Sequence, residues 1–184
     1  NPGCVWLPTE WLPDDALRKA FRAVGRGENS SRSGYGSTRG AVRLRRLLAA
    51  QFAEGGLDVS PDQVLLTGSG TQAVDLICRL LVRRGDTVLV DDPCYFNFQA
   101  LLRAHEIRIV GVPYTATGPD TEAFEQIVLR EKPRLYITNS ALHNPTGATL
   151  SPQTAFRLLS TAAASGVLIV EDDIFADFEI APSP

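Results

Sequence analysis

The chain has 184 residues, of which 44% are hydrophobic and 21% charged, and its formal net charge at pH 7 is −3. This composition is that of an ordinary globular protein, and the charge gives no overall attraction to nucleic acid or to an anionic membrane. No apolar run reaches the length of a membrane span, and no signal peptide is visible.

The N-terminal part, residues 1–34, is expected to form an arm, a helix and a loop ahead of a larger domain at residues 35–184. Its first residues are rich in proline and tryptophan, which indicates irregular structure. Asp14 and Asp15 then supply the acidic first turn of a helix. A polar, glycine-containing loop follows, and hydrophobic periodicity predicts a second helix at residues 41–52.

From residue 64 onward, short apolar runs alternate with longer segments of helical spacing. Strands are predicted at residues 64–67, 87–90, 107–112, 135–138 and 167–170, and helices at residues 71–83, 97–104, 121–130 and 152–165. This alternation is typical of an α/β fold, in which helices sandwich a mainly parallel sheet. Right-handed crossovers then place the functional loops at the carboxyl ends of the strands.

A glycine turn at residues 68–73 joins the first predicted strand to a helix. The backbone N–H groups at such a helix start suit a phosphate. The turn also has the form GxGxxA, and Asp91 ends the next strand about where a ribose-binding acid would lie, so an NAD-dependent Rossmann enzyme is one interpretation. That interpretation gives no role to Asn144 or Asp172. A tight turn without any ligand is a third possibility.

The three cysteines, Cys4, Cys78 and Cys94, are odd in number and show no CxxC spacing. They indicate neither a disulfide framework nor a zinc site, and no metal is expected. Reduced thiols in a cytoplasmic protein are the simplest interpretation.

Five short motifs follow one another along the chain: YGSTRG at residues 35–40, SGT at 69–71, DPCY at 92–95, HNPTG at 143–147 and EDDIF at 171–175. In this order and spacing they resemble the class I/II aminotransferases, which are fold type I enzymes that use pyridoxal 5'-phosphate (PLP). The stretch SALHNPTG and the doubled acid are most similar to the aminotransferase-like domain of MocR regulators of the GntR family. The resemblance runs over residues 35–178 and implies part of the large, PLP-binding domain of that fold.

The resemblance assigns the cofactor phosphate to Ser69, Gly70 and Thr71, which would hold it with backbone N–H groups and hydroxyls. Helix capping is the alternative role for the serine and the threonine. Tyr95 would stack on the pyridine ring, or it is simply a core tyrosine. Tyr35 would reach the phosphate of the neighbouring subunit, which implies a homodimer with shared sites. It could equally be an ordinary loop aromatic.

The polar groups of the pyridine ring fall to two further residues in this resemblance. Asn144 would donate its amide to the ring oxygen, and Asp172 would pair with the ring nitrogen. Phe175 stands where the family often has a tyrosine, so that hydroxyl is missing. The family's lysine, which binds the cofactor aldehyde, has no counterpart in Lys19 or Lys132 and is expected beyond the chain end.

The function that follows is amino-group transfer between an amino acid and a 2-oxo acid, catalysed with PLP. The alternative is an effector domain of a MocR/GntR-type regulator that senses PLP or an amino compound. In that case an upstream domain would contact DNA, and this segment would bind no nucleic acid itself. Because the chain contains no methionine, we expect it to be a fragment of a longer protein.

Overall fold

The computed structural model describes residues 8–26 and 35–178 of the chain. Backbone contacts divide it into two compact units, residues 1–66 and residues 67–184. The predicted arm at residues 1–7 and the predicted loop at residues 27–34 lie outside the described residues. The predicted domain boundary at residue 34 stays a prediction.

Two helices dominate the first unit, and both were predicted. Helix α1 is Asp14–Arg26 and helix α2 is Val42–Glu54, and short 3₁₀ turns lie at Thr9–Trp11 and Pro61–Gln63. No side chain of α1 is buried within the part of the chain that the structure describes. In α2 the buried Arg45 guanidinium donates to the carbonyl of Pro61 at 2.5 Å, which ties this helix to the following turn.

The strand predicted at residues 64–67 is wrong. These residues are extended at their start but belong to no sheet, because no described strand lies beside them to complete a ladder of hydrogen bonds. The N–H of Leu66 instead donates to the carbonyl of Arg39 at 3.0 Å, and the hydroxyl of Thr67 bonds to the carbonyl of Ser69. Apolar content alone therefore did not identify a strand here.

The second unit is the α/β fold predicted from the alternating pattern. Its strands are β1 Thr87–Asp92, β2 Arg108–Thr115, β3 Gly118–Pro119, β4 Leu135–Thr138 and β5 Leu168–Glu171. Its helices are α3 Gly70–Leu81, α4 Phe96–Ala104, α5 Thr121–Glu131 and α6 Pro152–Ser165. The strand order is β3-β2-β1-β4-β5, and every pairing is parallel except that of the short β3, which the sequence marked only as a turn.

Alternate side chains of the central strands pack on opposite faces of the sheet, as the two-residue period of a strand requires. On one face Val88 and Val90 join Leu135 and Ile137 in a core with α3 and α4. On the other face Leu89 and Tyr136 pack with α5 and α6. Both faces of the sheet are thus covered, which explains why β1 and β4 read as continuous apolar runs.

This topology gathers the four motifs of the second unit at one edge of the sheet. The loops after β1, β4 and β5 leave the carboxyl ends of three neighbouring parallel strands. Helix α3 runs back to the start of β1, so its N-terminus lies at the same edge. The carboxyl edge of a doubly wound sheet is where such folds bind ligands.

Candidate functional site

The N-terminus of α3 forms the first part of the site. The hydroxyl of Ser69 accepts a hydrogen bond from the N–H of Gln72 at 3.1 Å and so caps the helix, while the Gln72 side chain accepts from the N–H of Gly68 at 2.6 Å. Within residues 8–26 and 35–178, the N–H groups of Gly70 and Thr71 have no hydrogen-bond partner. Ser69 therefore caps the helix, and the capping bond leaves two N–H donors at the positive end of the helix dipole for an anion.

Tyr95 follows β1 and immediately precedes α4. Its half-buried ring makes edge contacts with the rings of Phe96 and Phe98, with centroids 4.9 Å and 5.6 Å away. Its hydroxyl accepts from the Asn97 amide at 2.7 Å. These contacts fix the plane of the ring, which a stacking platform requires.

Asn144 lies in the loop after β4, within the tight turn at residues 143–147. The turn is closed by a hydrogen bond from the N–H of Gly147 to the carbonyl of His143 at 2.6 Å, and the Asn144–Pro145 peptide is cis. The Asn144 N–H donates to the side-chain oxygen of Asn139 at 2.7 Å. Its half-buried side-chain amide bonds to no other described residue, so this amide remains available to a ligand.

Asp172 is the residue after β5. Its N–H donates to the carbonyl of Thr138 at 2.8 Å, and its own carbonyl accepts from the Asn139 amide at 2.5 Å. Burial raises the pKa of its carboxyl group, although a hydrogen bond from the N–H of Ile174 opposes that shift. Among the described residues no arginine, lysine or histidine forms an ion pair with it. A cationic ligand group would therefore stabilise its charged form.

Asp91 is wrong as a candidate for binding ribose. Its side chain is only 2% exposed and is fully engaged inside the fold. It accepts hydrogen bonds from the hydroxyl of Tyr136 at 2.5 Å, from the hydroxyl of Thr138 at 3.0 Å and from the N–H of Asn139 at 3.0 Å. The geometry removes the acid that the dinucleotide interpretation needs.

His143 is a buried structural residue. Its Nε2 atom lies 3.2 Å from a carboxylate oxygen of Asp91, but the two are not aligned for a hydrogen bond. Its Nδ1 atom lies 2.8 Å from the hydroxyl of Thr146. Tyr114 stacks on the imidazole with centroids 3.7 Å apart, and burial raises the pKa of that phenol. The contacts hold the loop rather than face a ligand.

A family model described as "Aminotransferase class I and II" matches residues 4–183. The chain belongs to the class I and II aminotransferases.

Solved structures of aminotransferases share the fold of this aminotransferase-family chain. The α-aminoadipate aminotransferase LysN of Thermus thermophilus, solved as a complex with N-(5'-phosphopyridoxyl)-L-leucine, superimposes with a TM-score of 0.82 at 30% identity over 90% of this chain and 41% of that one. An archaeal alanine:glyoxylate aminotransferase gives a TM-score of 0.84 at 29% identity over 89% of this chain and 42% of that one.

Curated relatives fall into two groups. The 2-aminoadipate transaminase of Thermus thermophilus is 29% identical over 91% of this chain and 41% of that protein. The uncharacterised HTH-type transcriptional regulator YdcR of Escherichia coli is 31% identical over 75% of this chain and 30% of that protein. The chain thus spans between 30% and 41% of the length of the first relatives it matches.

Every residue assigned to the cofactor by resemblance stays a prediction, including Tyr35 and Phe175. Tyr35 belongs to the first unit of the aminotransferase-family chain and is fully exposed there. Phe175 is half-buried in the segment after Asp172 and offers no hydroxyl.

Within the described residues, no helix is long and apolar enough to cross a membrane, and no cluster of side chains is suited to hold a metal. Cys78 and Cys94 are free thiols, whereas Cys4 lies outside the described residues.

Sequence reasoning missed Asn139 and the hydroxyl of Tyr136. Asn139 bonds to the backbone of both Asn144 and Asp172, and Tyr136 bonds to Asp91. The available signal was a polar residue directly after a predicted strand, at the edge of the sheet where ligands bind. Of the partners of its side chain, Asn144 lies in the same loop but Asp172 follows another strand, and the position of Asn139 in the sequence gives no sign of that second contact.

Proposed function

We propose that the full-length protein is a PLP-dependent aminotransferase that moves an amino group between an amino acid and a 2-oxo acid. The observation that carries this proposal is the half-buried carboxyl group of Asp172, which has no cationic partner among the described residues and lies after β5 beside the loop of Asn144. The N-terminus of α3, with its two unpartnered N–H groups, and the ring of Tyr95 occupy the same edge of the sheet. PLP has a group for each of these four features: a phosphate, an aromatic ring, a ring oxygen and a ring nitrogen.

The groups on this edge fit PLP. Gly70 and Thr71 offer two free N–H groups to the phosphate, and the Ser69 hydroxyl keeps a proton to donate while it accepts the capping bond. The ring of Tyr95 supplies a fixed platform for the pyridine. Asn144 supplies an amide donor for the ring oxygen.

Bound PLP supplies an electron sink for a carbanion at the α-carbon of the substrate. Asp172 would hold the proton on the pyridine nitrogen, because a carboxylate beside a base raises the pKa of that base. The side-chain amide of Asn144 would donate a hydrogen bond to the ring oxygen.

The catalytic lysine is proposed to come from outside this chain. Of the two lysines, Lys132 directly follows α5 and precedes β4, so it lies at the amino edge of the sheet, opposite the site. Lys19 belongs to the first unit, and the residues around it do not match those around the family's lysine.

We further propose a cytoplasmic homodimer in which Tyr35 reaches the partner's phosphate.

A regulatory role is the second candidate, and the similarity to regulators such as YdcR favours it. In that case the same edge of the sheet would bind PLP or an amino compound without turnover, and a DNA-binding domain elsewhere in the protein would report it. Both uses require the same PLP-binding residues.

The deciding experiment is the visible absorption spectrum of the full-length protein with PLP, recorded before and after addition of amino acids. Conversion of the bound cofactor to pyridoxamine 5'-phosphate, with release of a 2-oxo acid, is the expected result for the enzyme. Retention of unconverted PLP would favour the sensor. A protein that binds no PLP at all would overturn the cofactor assignment.

A further inference from the structure

Asn139 connects two residues of the proposed site through their backbones. Its side-chain N–H donates to the carbonyl oxygen of Asp172 at 2.5 Å, and its side-chain oxygen accepts from the N–H of Asn144 at 2.7 Å. A carbonyl can only accept and a backbone N–H can only donate, so the orientation of the Asn139 amide is fixed by its partners. The Asn139 side chain is 3% exposed, whereas Asn144 and Asp172 are half-buried.

The backbone of Asn139 is itself anchored. Its N–H donates to a carboxylate oxygen of Asp91 at 3.0 Å, and its carbonyl accepts from the hydroxyl of Tyr114 at 3.1 Å. Asp91 accepts hydrogen bonds in turn from the hydroxyls of Tyr136 and Thr138, so the residue that anchors Asn139 lies inside the core. The backbone N–H, the backbone carbonyl and both ends of the side-chain amide are thus in use, and the side chain has no freedom to follow a shift of either loop.

We propose that Asn139 is a positioning residue that sets the distance between Asn144 and Asp172. These two residues leave different strands, and Asn139 is a single side chain that bonds to the backbone of both. The inference rests on the proposed function, in which one of them contacts the ring oxygen and the other the ring nitrogen. Asn139 itself contacts no cofactor; it holds the two contacts at a spacing that one planar ring can satisfy.

An amide is the group that this position requires. Aspartate has the same shape but replaces the donor with an oxygen, so Asn139→Asp keeps the bond from the N–H of Asn144 and repels the carbonyl of Asp172. Leucine has similar volume and neither group, so Asn139→Leu loses both bonds. Asn139→Asp therefore disturbs one of the two hydrogen bonds, and Asn139→Leu disturbs both.

The test uses the full-length protein and measures the dissociation constants of PLP and of two analogues. The analogue 1-deazapyridoxal 5'-phosphate lacks the ring nitrogen, and 3-deoxypyridoxal 5'-phosphate lacks the ring oxygen. We expect Asn139→Asp to weaken PLP binding roughly tenfold, which corresponds to the loss of about one buried hydrogen bond. Its effect on the 1-deaza analogue should be much smaller, because Asp172 then has no ring nitrogen to meet. Its effect on the 3-deoxy analogue should match that on PLP.

Asn139→Leu extends the test to the hydrogen bond that Asn139 accepts from the N–H of Asn144. It should weaken PLP binding more than Asn139→Asp does and should lose part of its effect with either analogue. Comparing a variant with an analogue in this way isolates the coupling between residue and ligand group, as in a double-mutant cycle. Thermal unfolding of each variant establishes that it is folded, and if Asn139→Leu fails to fold, Asn139→Asp decides the test alone.

Ser140 provides the matched control. It is the next residue and is also buried, and its hydroxyl donates to the side chain of Glu171 on β5 rather than to the backbone of Asp172. Ser140→Ala should lower stability without changing the ratio of PLP affinity to analogue affinity. Equal losses for PLP and both analogues in the Asn139 variants, or no loss at all, would overturn the inference and leave the proposed function standing. A wild-type protein that binds no PLP would overturn both.

Discussion

The hydroxyl of Tyr136 donates a 2.5 Å hydrogen bond to the carboxylate of Asp91, and both side chains are almost fully buried between neighbouring strands β4 and β1. Burial, together with the nearby negative charge of Asp91, raises the pKa of Tyr136 well above its ordinary value, so the phenol keeps its proton and remains a donor. A buried carboxylate depends on such donors, since its charge has left water.

Tyr136→Phe should destabilise the protein. It deletes one of three donors to Asp91 and leaves a buried charged acceptor less well satisfied, which costs about 1.5–3 kcal/mol in the free energy of unfolding. Denaturant unfolding measures this value. Tyr95→Phe is the matched comparison, because among the described residues its hydroxyl bonds to the half-buried amide of Asn97 and to no carboxylate. If both substitutions cost the same, Asp91 does not depend on the Tyr136 donor.

Asp172→Asn should reduce amino transfer by the full-length protein far more than Asp173→Asn does. Removal of one preorganised hydrogen-bond donor from an active site costs about a hundredfold or more in kcat, and we expect a loss of similar order when the carboxylate beside the ring nitrogen is removed. The neighbouring acid was not assigned to the pyridine nitrogen, so its substitution should change kcat little. Steady-state kinetics of both variants decide between these two adjacent carboxylates. A larger loss for Asp173→Asn would move the assignment by one residue.

The sheet could be predicted from sequence because its evidence is local. Apolar runs of the right length, separated by helical periodicity and turn residues, placed β4 and α6 correctly. The run at residues 64–67 has the same local character but no described neighbour, and pairing is a long-range property that apolar content does not encode. The short β3 was not predicted for a related reason, since two residues are too few to show the alternation of a strand.

Some residues of the candidate site could be predicted from the sequence and others could not. Ser69, Asn144 and Asp172 belong to motifs at strand and helix ends that the sequence shows directly. Asn139 and Asp91 act through partners on other strands, so their roles depend on distances that only the folded chain defines. Asp91 was noticed at the right place and given the wrong partner, because the sequence showed a carboxylate at a strand end and not its burial.

Ser69→Asp should separate helix capping from phosphate binding. Aspartate caps a helix about as well as serine, so stability should stay within about 0.5 kcal/mol of the wild-type value. A second negative charge beside the cofactor phosphate should nevertheless weaken PLP binding strongly. Ser151→Asp is the control, because Ser151 caps α6 in the same way, with its hydroxyl 3.2 Å from the N–H of Thr154. Equal PLP affinity in the two variants would contradict a phosphate role for Ser69.

Asp172→Asn should make the cofactor-free protein more stable at neutral pH. Burial raises the folded-state pKa of Asp172 above its ordinary value of 3.8, so its contribution to stability is present below that value and is lost as the pH rises through the folded pKa. The variant escapes this loss, and its advantage should vanish at acid pH. Asp75 has the opposite sign, because hydrogen bonds from Arg79 and then His105 lower its pKa. Asp75→Asn should therefore destabilise the protein at neutral pH and not at acid pH, and urea unfolding across the pH range compares the two. A stability gain for Asp172→Asn that persists at acid pH would refute the electrostatic cause.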